Sequence, residues 1–248
     1  MKRLKILNTN ISELTIEELS KNLIQKNNLM VAVCNANSLV RSYKDDVLQN
    51  IINSFDICTP DGFPVALASR ILYKNNQKRV DGFKIFNNTL QKGAEFGTTH
   101  YLFGNTEEVN TKIIEKYRKE YPKVKILGYS CPPFLSYKEL ADQKYFDEII
   151  RLNPDIVWFS FGFPKQENLI KLAKDKFNLT SNLVGVGFTF DWTAGTKKKA
   201  PEWLADLGFE WILRLIQEPK RLAKRYFIDN FLFIYYFSKQ FLSKSKSI

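Results

Sequence analysis

Six short apolar runs punctuate the chain, at 30–34, 55–58, 99–103, 124–127, 156–161 and 183–186. None shows the polar alternation of a half-exposed strand, which predicts strands covered on both faces. Helical patterns lie between them. The segment 106–121 opens on Thr106-Glu107-Glu108, a capping residue followed by acids, and ends before Pro122. The segment 137–152 follows Ser136 and stops before Asn153-Pro154, and 165–177 follows Gly162-Phe163-Pro164. Strand and helix alternating in this rhythm predict an α/β fold, a Rossmann-like parallel sheet with helices on both faces. Ligands of such sheets bind at the carboxyl ends of the strands. The pattern changes after residue 196. Ala200-Pro201 opens a helix with Trp203, Leu204, Leu207, Trp211 and Leu215 on helical spacing, and Pro219 starts a second helix. The reading is a Rossmann-like domain over 1–196 and a basic, aromatic-rich helical appendage over 197–248. Trp203, Leu207 and Trp211 are expected to pack on the domain.

Charge sharpens the picture of the appendage. It carries eleven Lys and Arg against five acids, a net +6 of the chain's +11, interleaved with eleven Trp, Tyr and Phe residues. Lys220, Arg221, Lys224 and Arg225 share one face of the second helix. A basic face beside aromatic residues suits an anionic, partly apolar partner, with a membrane surface the first candidate. The greasiest segment, 227–237, contains Asp229 and Asn230 and falls short of the roughly 20 apolar residues of a spanning helix. The first residues carry no apolar stretch long enough for a signal peptide. Cys34 and Cys58 sit inside apolar runs and read, with Cys131, as unpaired thiols in a reducing compartment. A cytoplasmic protein that touches the inner face of the membrane peripherally is expected.

Several chemistries lack their residues. His100 is the single histidine, no Cys/His set has zinc spacing, and no glycine loop ends in Lys-Ser/Thr. No Asp-x-Asp pair is present to hold a metal on a diphosphate. Gly185-Val186-Gly187 is part of a dinucleotide fingerprint, with Phe190 in place of the third glycine. Five loops fall on the ligand edge. Asn35-Ala36-Asn37-Ser38 reads first as a helix cap and Thr59-Pro60-Asp61-Gly62 as a turn. Arg79-Val80-Asp81-Gly82 reads as an exposed turn. Gly162-Phe163-Pro164-Lys165-Gln166-Glu167 opens a helix whose free N–H groups suit phosphate. Gly185 to Asp191 ends a strand where backbone can approach a ligand.

In order and spacing, these loops resemble the WecG/TagA/CpsF family of bacterial glycosyltransferases, family 26, from about residue 30 to about 237. The strongest stretches are Gly162 to Glu167, Gly185 to Asp191, and Ala200-Pro201-Glu202-Trp203 through Glu210-Trp211 to Gln217-Glu218-Pro219-Lys220-Arg221. The resemblance implies an inverting transfer of a sugar from UDP to a polyprenyl-pyrophosphate-linked acceptor sugar, in cell-surface polysaccharide or teichoic acid synthesis. The sugar is a hexose such as N-acetylmannosamine or its uronic acid. No metal and no cofactor are implied. Asp61 matches the family's proposed general base, Asn35 a sugar contact, Arg79 a basic residue near the donor, and Gln166 a donor loop. Gly187 and Asp191 match the nucleotide loop. Arg214, Arg221 and Arg225 match basic positions that stabilise the leaving diphosphate. The resemblance further implies an oligomer that comes apart to expose the tail at a membrane.

Three departures bear on the donor: Val33 where the family often has Thr, Phe188 where many members have Gly, and Lys199 in place of Arg. UDP-glucuronic acid, UDP-glucose and other UDP-hexoses stay open as donors. Outside the class, the basic tail suggests nucleic-acid binding and the glycines suggest NAD(P), but no nucleic-acid module is visible and no nucleic-acid partner is expected.

Overall fold

The computed structural model describes residues 1–245; the side chains of Arg221, Arg225 and Ser245 lie outside that description. The chain begins β1 (Lys2–Ile6), β2 (Thr9–Glu13), α1 (Ile16–Gln25), β3 (Met30–Cys34), α2 (Ala36–Tyr43), α3 (Asp46–Asn53), β4 (Ile57–Pro60) and α4 (Phe63–Tyr73). It continues α5 (Gly82–Gly93), β5 (Thr99–Gly104), α6 (Glu107–Glu120), β6 (Lys125–Ser130), α7 (Tyr137–Leu140), α8 (Asp147–Leu152), β7 (Ile156–Ser160) and α9 (Lys165–Phe177). It ends β8 (Asn182–Gly185), α10 (Thr189–Thr193), α11 (Glu202–Asp206), α12 (Glu210–Gln217) and α13 (Pro219–Ser245).

Strands β3 to β8 are the six expected apolar runs, β3 unshifted and the others shifted at one or both ends by one to three residues. They form a parallel sheet in the order β4-β3-β8-β7-β5-β6, the Rossmann-like fold that the pattern predicts. Strand β7 shows why polar alternation is missing. Val157 and Phe159 enter one core with residues of α2, α3 and α9. Ile156 and Trp158 enter the other with residues of α1, α5 and α6. The order also positions the site. From β3 the chain moves to one edge through β4, then to the other through β5 and β6, and returns through β7 and β8. The β3–β8 neighbourhood is where the winding reverses, and a crevice opens above such a point.

Three local features differ from the sequence pattern. The segment 137–152 is two helices, because the Asp142 carboxylate accepts from the Lys144 N–H (3.1 Å) and caps a tight turn between them. That turn drives Phe146 into the core. The first appendage helix is also two, divided at Gly208, whose φ of 87° ends α11. Third, the N-terminus forms a hairpin, β1 against β2, around Leu7-Asn8 with φ of 45° and 62°. Leu4, Ile6, Leu7 and Ile11 are its buried face.

Helix α13, about 40 Å long by its 27 residues, lies along α2. Leu222 and Phe233 are buried, and the Asn37 amide donates to Asp229. Near its end Gln240 holds the hairpin, accepting from the Leu7 N–H (3.0 Å) and donating to the Lys5 carbonyl (2.8 Å). Its outer side exposes Phe227, Phe231, Ile234 and Leu242. Among the described residues no helix is long and apolar enough to cross a membrane. Removing a buried aromatic ring costs about 3–5 kcal/mol. Phe233→Ala is therefore expected to lower stability by about that amount in urea unfolding, and to speed amide exchange in α13 before the sheet. Unchanged exchange in α13 would show that Phe233 does not hold the helix.

Candidate active site

The carboxyl ends of β3, β4, β5, β7 and β8 bring five loops together. Asp61 stands one residue past β4, and its N–H donates to the Cys34 carbonyl (2.9 Å), so pairing with β3 continues up to the acid. Gly62 then adopts φ 76°, a conformation open to glycine, and the chain turns into α4. Two clefts adjoin here. Asn35, Asp61 and Arg214 line both. One, of about 320 Å³, runs past Gly162, Gln166, Gly187 and Asp191. The other, of about 370 Å³, runs past Phe63, Arg79, Glu210 and Trp211 to Asp229. A wider groove of about 850 Å³ lies on the hairpin side and shares only Phe63 and Arg79 with the second cleft.

Burial pushes the Asp61 carboxyl up to about 7; Glu210 and Asp81 add to the rise, and Arg79 and Arg214 oppose it. A carboxylate with this value accepts a proton readily near neutral pH.

Arg79, Val80, Asp81 and Gly82 are not an exposed turn. Arg79 is 8% exposed and Val80 1%. The Val80 N–H donates to the Pro60 carbonyl (3.0 Å) and the Thr59 hydroxyl to the Val80 carbonyl (2.9 Å), so the segment extends the edge of β4. The Arg79 guanidinium faces acids of the appendage. Nη1 reaches Glu210 (3.0 Å), Nη2 reaches Glu202 and Asp206 (both 3.3 Å), and Nε reaches Asp206 (3.3 Å).

Gln166 is buried, and its Oε1 accepts from the N–H groups of both Gly162 (3.2 Å) and Gly187 (3.1 Å). Its Nε2 donates to Glu167 (2.9 Å). One side chain thus fixes two loops against each other. Gly185 makes room for it: a Cβ there would lie 2.8 Å from Nε2. Glu167 is itself pushed up to about 7 by burial.

Asp191 accepts from the Asn105 amide (2.9 Å), which also donates to Ser160 (3.3 Å). Asn105, held at φ 62° after Gly104, is a member of the site that sequence reasoning missed; the Gly104-Asn105 pair after an apolar run was the available signal. Arg214 lies over Phe188 (4.7 Å) and Trp192 (5.4 Å), a cation–π arrangement. Phe188 thus supports a basic residue of the site where many relatives were expected to have glycine. Asn35 caps α2, its Oδ1 accepting from the Ser38 N–H (3.2 Å), while also lining both clefts. The Arg221 and Arg225 side chains lie outside the described residues. His100 is buried in the core, where Trp158 donates to its Nδ1 (3.3 Å), and burial pushes its pKa down to about 3.

The appendage faces the site differently from the expected packing. Ala205 is buried, whereas Trp203 is 65% and Leu207 59% exposed. Arg79 meets Glu202, Asp206 and Glu210 along one edge of these helices, while Trp203 and Leu207 stay largely in solvent.

A carboxylate and an arginine shared by two adjoining clefts thus stand at the carboxyl edge of a parallel sheet on a Rossmann-like scaffold. The chain belongs to the glycosyl transferase WecG/TagA/CpsF family, whose model matches residues 4–247, and it is a glycosyltransferase. Among its relatives is an N-acetylglucosaminyldiphosphoundecaprenol N-acetyl-β-D-mannosaminyltransferase of Bacillus subtilis (strain 168), 31% identical over 87% of this chain and 82% of the relative. Proteins of the same name from Bacillus spizizenii (29%, covering 73% of this chain and 68% of the relative) and Staphylococcus aureus strain MW2 (26%, covering 89% and 84%) are also similar.

The unfolded Asp61 carboxyl ionises near 3.8 and the folded one near 7. The folded protein therefore binds the proton more tightly, and this stability is lost as pH rises from the first value through the second. Asp61→Asn removes the titrating carboxyl. It is expected to melt above the wild type at pH 8, with the gap closing toward about pH 4. An equal gap at both pH values would mean that Asp61 is not held in this way.

Proposed function

We propose that the protein transfers N-acetylmannosamine from UDP to an N-acetylglucosamine linked through diphosphate to a polyprenyl lipid, inverting the anomeric carbon. The observation that carries this reading is Asp61 at the junction of the two clefts, half-buried and strongly basic for a carboxylate. The choice of sugar and acceptor is supported by the names of the relatives in three species.

In this mechanism the donor occupies the cleft of Gly162, Gln166, Gly187 and Asp191. The acceptor enters the cleft of Phe63, Trp211 and Asp229. The acceptor hydroxyl oxygen attacks the anomeric carbon from the face opposite UDP. Its proton passes to Asp61, the bond to the diphosphate oxygen breaks, and UDP leaves with the electron pair. Arg214 offsets the charge that develops on the diphosphate. The mechanism assigns no step to a metal.

The acceptor is lipid-borne, so the site works at a bilayer surface on the inner face of the membrane. The exposed Phe227, Phe231 and Ile234 of α13, with exposed Lys220 and Lys224, support contact through the appendage. A general base contributes about 10²–10⁴-fold to rate. In a UDP-release assay with a short lipid-diphosphoryl-N-acetylglucosamine acceptor, UDP-N-acetylmannosamine is expected to be the preferred donor of a UDP-hexose panel. Asp61→Asn is expected to lower kcat by that factor with UDP still bound. A variant as fast as the wild type would remove Asp61 from the chemistry, and preference for another UDP-hexose would overturn the sugar assignment.

A further inference from the structure

Arg79 lies beside the second cleft, yet its side chain is 5% exposed and each of its three nitrogens is engaged by a carboxylate. The partners, Glu202, Asp206 and Glu210, recur every four residues on one edge of α11 and α12. Lys84 and Lys199 add further ion pairs to Glu202. Helices of five and eight residues have little stability of their own and take their place from what they touch. The apolar contact beside this cluster is equally close: a Cβ on Gly208, between the two helices, would lie 2.9 Å from the Phe63 ring. Arg214 belongs to α12, one helical turn past Glu210, and lines both clefts.

We propose that Arg79 is a positioning residue: with Glu202, Asp206 and Glu210 it seats the α11–α12 segment on the sheet edge and so holds Arg214 over the donor cleft, without itself contacting the sugar nucleotide. The activity consequence rests on the transferase reading above; the seating does not. A forked guanidinium suits the task, since it meets several carboxylates at once in fixed geometry. Seating also carries Glu210 to Asp61, so position and electrostatics of the base are set by the same contact.

The test compares Arg79→Ala with the triple variant Glu202→Gln/Asp206→Asn/Glu210→Gln, alone and combined. The triple variant changes only partly exposed partners and guards against a folding failure at Arg79. Three quantities are read: trypsin cleavage after Lys197, Lys198 and Lys199 in the intact protein, UDP affinity by calorimetry, and kcat/KM with lipid-linked acceptor. Both variants are expected to be cleaved about tenfold faster and to lose about tenfold or more in kcat/KM, the scale of a misplaced site group. Their UDP affinities are expected to fall together. Because they break one seat, the combination is expected to lie within about twofold of either. Unchanged cleavage in the triple variant overturns the proposal, even if the protein transfers no sugar. So does a loss of UDP affinity confined to Arg79→Ala, which would make Arg79 a donor ligand.

Discussion

A parallel sheet ends all its strands on one edge, and every functional feature of this chain depends on that constraint. Because β3, β4, β7 and β8 are neighbours running the same way, the loops after them meet although their residues are up to about 150 positions apart in sequence. Asn35, Asp61, Gly162 and Gly187 converge on this edge. The edge is then made rigid by hydrogen bonds that leave little to chance. Gln166 ties the β7 and β8 loops through one oxygen, and the Asp61 N–H continues the β3–β4 pairing. Such fixed geometry lets a carboxylate meet a reacting hydroxyl without reorganisation.

Electrostatics at this edge are a balance between opposing neighbours. Burial, Glu210 and Asp81 raise the Asp61 carboxyl, and Arg79 and Arg214 restrain the rise. The outcome near neutrality makes the group both available as an anion and basic enough to take a proton. Two of these neighbours, Glu210 and Arg214, come from the appendage, so the surroundings of Asp61 are complete only when the C-terminal helices are in place. That links a segment whose outer face is apolar and basic, suited to a lipid surface, to the chemistry at the sheet edge.

Much of this was legible in the sequence, for physical reasons that can be named. The six strands announced themselves because burial on both faces requires continuous apolar residues. Thr106 and the acids after it marked α6 through capping. The ligand-edge loops and Asp61 followed from strand order and from family resemblance. Other features were hidden. The hairpin turn uses Leu7-Asn8, not the Asn-Gly or Asp-Gly that usually signals such a turn. The break at Asp142 depends on one local side-chain cap. Helical periodicity located the stripe of Trp203 and Leu207 but not which side of the helix faces the core. The acids on another edge of those helices meet Arg79, more than a hundred residues away. No local pattern reveals a guanidinium shared by three acids so distant in the chain, and none shows that Gln166 spans two loops.

The central claim, that Asp61 is the base of the transfer and that its surroundings set its proton affinity, is tested most directly by the pH dependence of kcat/KM with lipid-linked acceptor. The rate is expected to rise with pH and level off above an apparent pKa near 7, and this limb is expected to be missing from the residual activity of Asp61→Asn. A wild-type profile that is flat from about pH 5 to about pH 8, or an Asp61→Asn variant that keeps the same limb, would contradict it.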